Sequence, residues 1–166
     1  MTVEASLSSL VALVNDVPAY PKWIDTCTEG KILRRVSPTE GYAYTVNKAF
    51  PIAGRDAIVR NVIRQDPETR VVTIEIEGQP DFIPPNKKLV RVKHIKGFWR
   101  FRPLGQGKVE IVYQVHSDPG GGIPAWLVNS FVVKQPFRTL VNMKKIIEES
   151  RLPDKKFEFI KEAHEK

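Results

Sequence analysis

The chain has 166 residues, 42% of them apolar and 27% charged, which suits one globular domain with a real core and leaves too little for two. No apolar run approaches the ~20 residues of a bilayer-spanning helix, and the single cysteine, Cys27, excludes an intrachain disulfide and a multi-cysteine zinc site. The formal charge of +7 favours an anionic partner (nucleic acid, an acidic membrane surface or an acidic protein) or simply marks a solvated basic surface.

Met1–Leu10 lacks the basic stretch that precedes the apolar part of a signal peptide. The compartment stays open on this ground: cytoplasmic if the chain is complete, secreted or periplasmic if a leader has been removed. Leu7, Leu10, Val11 and Val14 then follow helical spacing behind Ser6, a candidate N-cap. Asp16–Trp23, with two prolines, predicts a turn and a short helical piece.

From Lys31 the period becomes two. The candidate strands are Lys31–Val36, Tyr42–Ala49, Asp56–Gln65, Arg70–Glu77, Leu89–Leu104 and Val109–Ser117, separated mostly by short proline or glycine turns. Such connections predict a largely antiparallel sheet. Gly120–Gly122 ends it, and Pro124 suits the first turn of a helix. Trp126, Ser130, Val133, Phe137, Leu140, Val141, Lys144 and Ile147 recur at helical spacing, so this helix runs ~27 residues with a kink at Pro136. Residues 1–151 form the domain on this reading, and 152–166 a charged tail or loosely attached helix. The fold class is α+β: a curved antiparallel sheet wrapped around a long C-terminal helix.

Two segments carry a resemblance. Asp118-Pro119-Gly120-Gly121-Gly122-Ile123-Pro124-Ala125-Trp126-Leu127-Val128-Asn129 resembles the start of the last helix in StAR-related lipid-transfer (START) domains. Phe50-Pro51-Ile52-Ala53-Gly54-Arg55-Asp56 resembles their Pro-x-x-x-Arg-Asp turn before a strand. Trp23 and Val90-Arg91-Val92-Lys93 also fit in order. The resemblance covers roughly Val3 to Ile147 and implies the helix-grip fold, with one hydrophobic ligand held between sheet and helix. It implies no catalysis and no cofactor. Complete members carry a further N-terminal helix and two strands ahead of the matched part, so the resemblance leaves a sheet edge open to an oligomer contact. Many eukaryotic members bury an acid opposite an arginine in the cavity; Thr45 and Asn61 stand at the matching positions here.

Strand parity sorts the walls. Ala57, Val59, Asn61 and Ile63 share an inward face, as do Ile74 with Val72 and Ile76, Val92 with Val90 and His94, and Tyr113 with Val109, Ile111 and Val115. A bulge at Gly97 would turn Trp99 and Phe101 inward. With Trp126, Ser130, Val133 and Phe137 from the helix, these residues either line a pocket for an apolar molecule with one polar end or fill a solid core. Inward Asn61 and His94 contact either a ligand or a polar neighbour within the core. In the loop Gly78–Lys88, Phe82 and Ile83 beside Lys87 and Lys88 either gate the cavity and touch an anionic membrane, or tuck inward as an ordinary loop.

Other chemistries find little support. His116-Ser117-Asp118 is contiguous, and neighbours on a strand point to opposite faces. No histidine spacing suits a metal. Lys87–Arg102 holds seven basic residues and no acidic one, but Trp99 and Arg100 break the RNA-recognition pattern that Lys96-Gly97-Phe98 begins, which argues against nucleic acid. The alternative function is a polyketide cyclase-like helix-grip enzyme, resting on Asn61, His94 and Tyr113.

Overall fold

The computed structural model describes residues 1–124, 127–128, 133–149 and 151–162. A short strand, β1 (Thr2–Glu4), leads into helix α1 (Leu7–Asn15), whose Ser6 hydroxyl accepts from the Ser9 amide at 3.1 Å. The predicted stripe of Leu7, Leu10, Val11 and Val14 is buried. A 3₁₀ helix (Val17–Lys22) follows, and the Tyr20 hydroxyl donates to the Val14 carbonyl at 2.7 Å.

Next come β2 (Cys27–Ser37), β3 (Glu40–Ala49), β4 (Ile52–Gln65), β5 (Val72–Gly78), β6 (Val90–Arg91), β7 (His94–Gly105) and β8 (Lys108–Asp118). The sheet runs β1-β8-β7-β5-β4-β3-β2, antiparallel throughout, with β6 attached in parallel to β4. Helix α2 (Gln135–Glu148) closes the fold and buries Thr139, Met143 and Ile147. The expected helix-grip architecture is therefore present.

Three details differ from expectation. First, the long strand Leu89–Leu104 is two strands, broken at Val92-Lys93. Pairing with β5 and β8 then runs without interruption through Gly97. A β-carbon at Gly97 would lie 2.3 Å from the Gln114 carbonyl oxygen, so glycine serves close strand approach there and makes no bulge. Trp99 and Phe101 do face in, while His94 faces out and is exposed.

Second, α2 buries only part of the stripe its apolar spacing predicts: Ile147 is buried and Leu140 packs against the core, but the buried face also takes Thr139 and Met143. Gln135 Nε2 donates to the Asp25 carbonyl (3.1 Å) and Thr26 Oγ1 (3.0 Å), Thr139 Oγ1 accepts from the Asp25 amide (3.2 Å), and Asn142 Nδ2 donates to the Trp23 carbonyl (2.9 Å). These bonds to the turn after the 3₁₀ helix set the helix phase and leave Val133, Phe137 and Val141 exposed. Residues 133–134 form a π-helical turn that runs straight into α2, so Pro136 sits in helical backbone beside that irregularity, and most of the earlier part of the expected ~27-residue helix lies outside the described residues.

Third, the segment after Arg151 is packed and, through Glu162, non-helical. Ile160 is buried, Gln65 and Lys161 exchange two bonds of 2.8 Å, and the Glu162 carboxylate accepts from the Leu7 and Ser8 amides at 2.9 Å each. An acidic side chain at a helix N-terminus satisfies free amides and complements the helix dipole.

On the convex face, Asp56 is fully buried and bonded at 2.9 Å twice by the Arg91 guanidinium, with the Tyr44 hydroxyl donating to it at 3.2 Å. Arg91 also donates to the carbonyls of Pro80 (2.6 Å), Ile83 (3.0 Å) and Pro84 (3.3 Å), which fastens the loop between β5 and β6 onto this face. Asp56→Ala should leave a buried guanidinium uncompensated and cost about 3–5 kcal/mol. A thermal melt should show this as a fall of roughly 6–20 °C; an unchanged melting temperature would remove the pair from the fold's essential interactions.

Candidate functional site

A cavity of about 210 Å³ lies between the concave face of the sheet and the start of α2. Its floor is aromatic and aliphatic. Trp99 and Tyr113, directly opposite on β7 and β8, stack at 3.9 Å with their planes 9° apart, and Trp23 packs behind Trp99 at 5.9 Å. Ala57 and Val59 on β4, Ile76 on β5, and Tyr20 and Ile24 from the 3₁₀ region extend this surface. Each methylene buried against such a wall is worth ~0.8 kcal/mol.

The other end is polar. Asn47 and Arg55 are direct cross-strand partners on β3 and β4, and Gln135 Nε2 lies 3.3 Å from Asn47 Oδ1. Thr45 and Ser117 also line the cavity. Arg55 is 4% exposed; its guanidinium donates to the carbonyls of Pro119 (3.3 Å), Gly120 (3.1 Å) and Ala53. Gly120 and Gly121 have φ of +62° and +70°, a backbone shape that L side chains rarely adopt. That turn swings the Gly120 carbonyl toward Arg55, so the two motifs singled out in the sequence meet at the end of the cavity.

Of the predicted wall residues, Ala57, Val59, Asn61, Ile76, Val92, Trp99, Tyr113 and Val115 line the cavity. Neither the Asn61 amide nor the Tyr113 hydroxyl has a hydrogen bond to another described residue. Thr45 and Asn61, the positions that the resemblance matches to the buried acid and arginine of many eukaryotic members, both reach the wall. Ile74 and Phe101 are 3% and 0% exposed and belong to the solid core with α1. His94 points to the convex side because the phase break precedes it. Phe137 on α2, and Val133 in the turn that runs into it, are exposed. Trp126 and Ser130 lie outside the described residues.

The gate residues are also displaced from their expected place. Phe82 stacks on Tyr42 (4.2 Å, 11°), an outward residue of β3, and Ile83 is tied down by Arg91, with Lys87 and Lys88 exposed beyond them. The loop thus covers the convex face, and none of residues 78–88 is among the described lining of the cavity. Its anchor is the buried Asp56–Arg91 pair, a feature that strand alternation does not show.

Arg55 is the site residue missed in the sequence. Strand β4 starts at Ile52, before the predicted Asp56, and extending the inward set 57, 59, 61 back by one step would have included it. Cys27, also in the wall, donates to the Glu29 carbonyl at 3.3 Å, and burial pushes its thiol pKa up.

The START domain model matches residues 2–152. The chain belongs to the START domain family. Among curated relatives, this START domain is 34% identical over 147 residues to the uncharacterised protein PA1579 of Pseudomonas aeruginosa, covering 88% of the chain and 72% of the relative. It is 28% identical over 131 residues to the phosphatidylcholine transfer protein of Bos taurus, covering 76% of the chain and 61% of the bovine protein. Of solved structures, a STAR-related lipid transfer protein fragment from Xanthomonas axonopodis superposes with a TM-score of 0.81 at 30% identity, covering 89% of this chain and 82% of that one. Human StAR-related lipid transfer protein 5 superposes at 0.74 with 20% identity, covering 90% and 74%, a likeness of fold.

Burial raises the Tyr113 pKa to about 12, and Tyr44 is raised to about 12 by burial and by the Asp56 carboxylate beside it. Burial also pushes Tyr20 above its ordinary range. The fold requires these phenols neutral, so their contribution is complete below about pH 10 and is lost as pH rises toward 12. Denaturation at fixed temperature should show stability falling between those values, less steeply in Tyr113→Phe; equal slopes for the two proteins would place Tyr113 in water.

Proposed function

We propose that this START domain binds one lipid-like molecule in its cavity and carries it between membrane surfaces without altering it. The observation that carries this reading is the polarity of the cavity, with the Trp99–Tyr113 floor at one end and the Asn47–Arg55–Gln135 group at the other. Such a wall orients an amphiphile. The family and the lipid-transfer relatives support the same reading. At about 210 Å³ the space is below the ~300–1,000 Å³ of common small-molecule sites, which favours a single chain over a bulky polycycle. The enzyme alternative rested partly on His94, which faces away from the cavity.

Lipid extraction from natively purified protein, followed by mass spectrometry, tests the reading. One amphiphile should be retained near equimolar ratio. Val59→Trp, which places an indole in the same space, should lower retention by about 10-fold or more while the protein stays folded. Equal retention by the two proteins would move the ligand elsewhere.

Membrane contact is assigned here to α2 and not to the Phe82 loop. Val133, Phe137 and Val141 form an exposed stripe, 61%, 67% and 51% accessible, flanked by exposed Lys134, Arg138, Lys144 and Lys145. Apolar residues bordered by cations suit the interface of an anionic bilayer. The tip of the β3–β4 hairpin adds Phe50, 90% exposed. Phe137→Asp should weaken sedimentation with phosphatidylcholine/phosphatidylserine vesicles by about 10-fold, whereas Phe82→Asp should change it little. The reverse ranking would return membrane contact to the loop.

A further inference from the structure

Arg55 and Arg91 are both nearly buried and belong to paired strands, yet they are satisfied differently. Arg91 has a carboxylate, Asp56, at 2.9 Å. Arg55 has only backbone carbonyls, those of Ala53, Pro119 and Gly120. Its sequence neighbour Asp56 is turned to the opposite face by the pleat and is committed to Arg91. Among the described residues no carboxylate pairs with Arg55, and the described lining of the cavity contains no Asp or Glu.

Three carbonyls engage three of the five guanidinium N–H donors, and they leave the positive charge whole. A buried cation without a counter-ion is costly, and such groups in proteins are normally paired. The electrostatics of the two arginines reflect this contrast. Burial alone draws the Arg55 pKa down, while the hydrogen-bonded Asp56 carboxylate raises that of Arg91. Arg55 also adjoins neutral hydrogen-bonding groups at the same end of the cavity, Asn47, Ser117 and Gln135.

We propose that the ligand brings the missing counter-ion: it is a single-chain amphiphile with an anionic head, carboxylate or phosphate, bound by Arg55 at the polar end of the cavity with its hydrocarbon on the Trp99–Tyr113 floor. This rests on the carrier reading above and narrows its ligand class. Charge-assisted bonds from a guanidinium to either anion are short and geometrically specific. The carbonyl cradle fixes the guanidinium beforehand, so little order is lost on binding. An uncharged head would leave the cation unpaired.

The test uses the delipidated full chain and three probes of equal chain length: palmitate, hexadecyl phosphate and hexadecanol. Binding is followed by calorimetry and by quenching of tryptophan fluorescence. Wild-type protein should bind at least one anionic probe about 10–100-fold more tightly than hexadecanol. The anion preferred decides between a fatty-acid and a phosphate head. Arg55→Gln should erase that preference with hexadecanol affinity held within about 2-fold, and Arg55→Lys should keep part of it.

Equal affinity of wild-type protein for all three probes would overturn the proposal and leave the carrier reading standing. So would an Arg55→Gln loss shared equally by all three, which would make Arg55 only a tether for the Pro119-Gly120 turn. Failure to bind any probe would remove the carrier reading, and the proposal with it. If Arg55→Gln does not fold, the wild-type comparison of charged with uncharged probes decides alone.

Discussion

The pleat of β4 places two adjacent charged residues on opposite faces of one strand, and much of the molecule is arranged around satisfying each. Asp56 goes to the convex side, where it is buried at 0% exposure and needs a cation. Arg91 supplies it from β6, and the same guanidinium gathers the carbonyls of Pro80, Ile83 and Pro84. The loop between β5 and β6 is therefore a cover for one carboxylate. Arg55 goes to the concave side, where the glycine turn after β8 brings two carbonyls to it. A strand has no freedom to send both side chains the same way, so each face must be furnished separately.

The second constraint is how α2 is held. A helix laid on a concave sheet by its apolar residues would sink until the space was filled, because dense packing is the favoured state of a core. Here the start of α2 is fixed by directional bonds. Gln135, Thr139 and Asn142 engage the backbone of residues 23–26, and burial against the core takes over further along at Met143 and Ile147. Hydrogen bonds set a distance as well as an attraction, so the N-terminal end can stand away from Ala57 and Val59 while the C-terminal end packs tightly. The apolar residues freed by this phase, Val133, Phe137 and Val141, are then left on the outside.

How much of this was legible in the sequence follows from what each signal measures. Alternation on β4 placed Ala57, Val59 and Asn61 inward because the charges of Arg60 and Arg64 fix the opposite face toward solvent. It stopped one step short of Arg55, since a charged residue beside a proline-glycine turn reads as the turn's exposed end. Trp99 was correctly turned inward for a mistaken reason: the phase reset lies at Val92-Lys93, where the chain leaves β6 for β7, and the Gly97 pairing is regular. That same displacement put His94 on the wrong face. In and just before α2 the hydrophobic period chose Val133 and Phe137, whereas the face turned to the core begins with half-buried Gln135 and buried Thr139. Apolar periodicity cannot see a face buried through polar bonds. The 152–162 segment was hidden for a related reason, because its charged composition gives no hint that Ile160 and Glu162 are anchored.

Taken together, the two constraints give the cavity a direction. Its polar group sits where the turn end of the β3–β4 hairpin, the glycine turn and the first turn of α2 converge: Gln135 touches Asn47, Asn47 faces Arg55, and Arg55 holds Gly120. The exposed apolar residues Phe50, Val133 and Phe137 belong to that hairpin and to residues 133–137, which lead into α2. An amphiphile with its head at Arg55 therefore lies with that head nearest the elements proposed to meet the membrane, and its chain deepest. Leaving in that orientation, the head is rehydrated first, at the interface, before the chain is withdrawn from the Trp99–Tyr113 floor into lipid. The opposite orientation would desolvate the charge at the aromatic floor, where the wall offers Tyr113 and Asn61 but no cation, and electrostatics disfavour it.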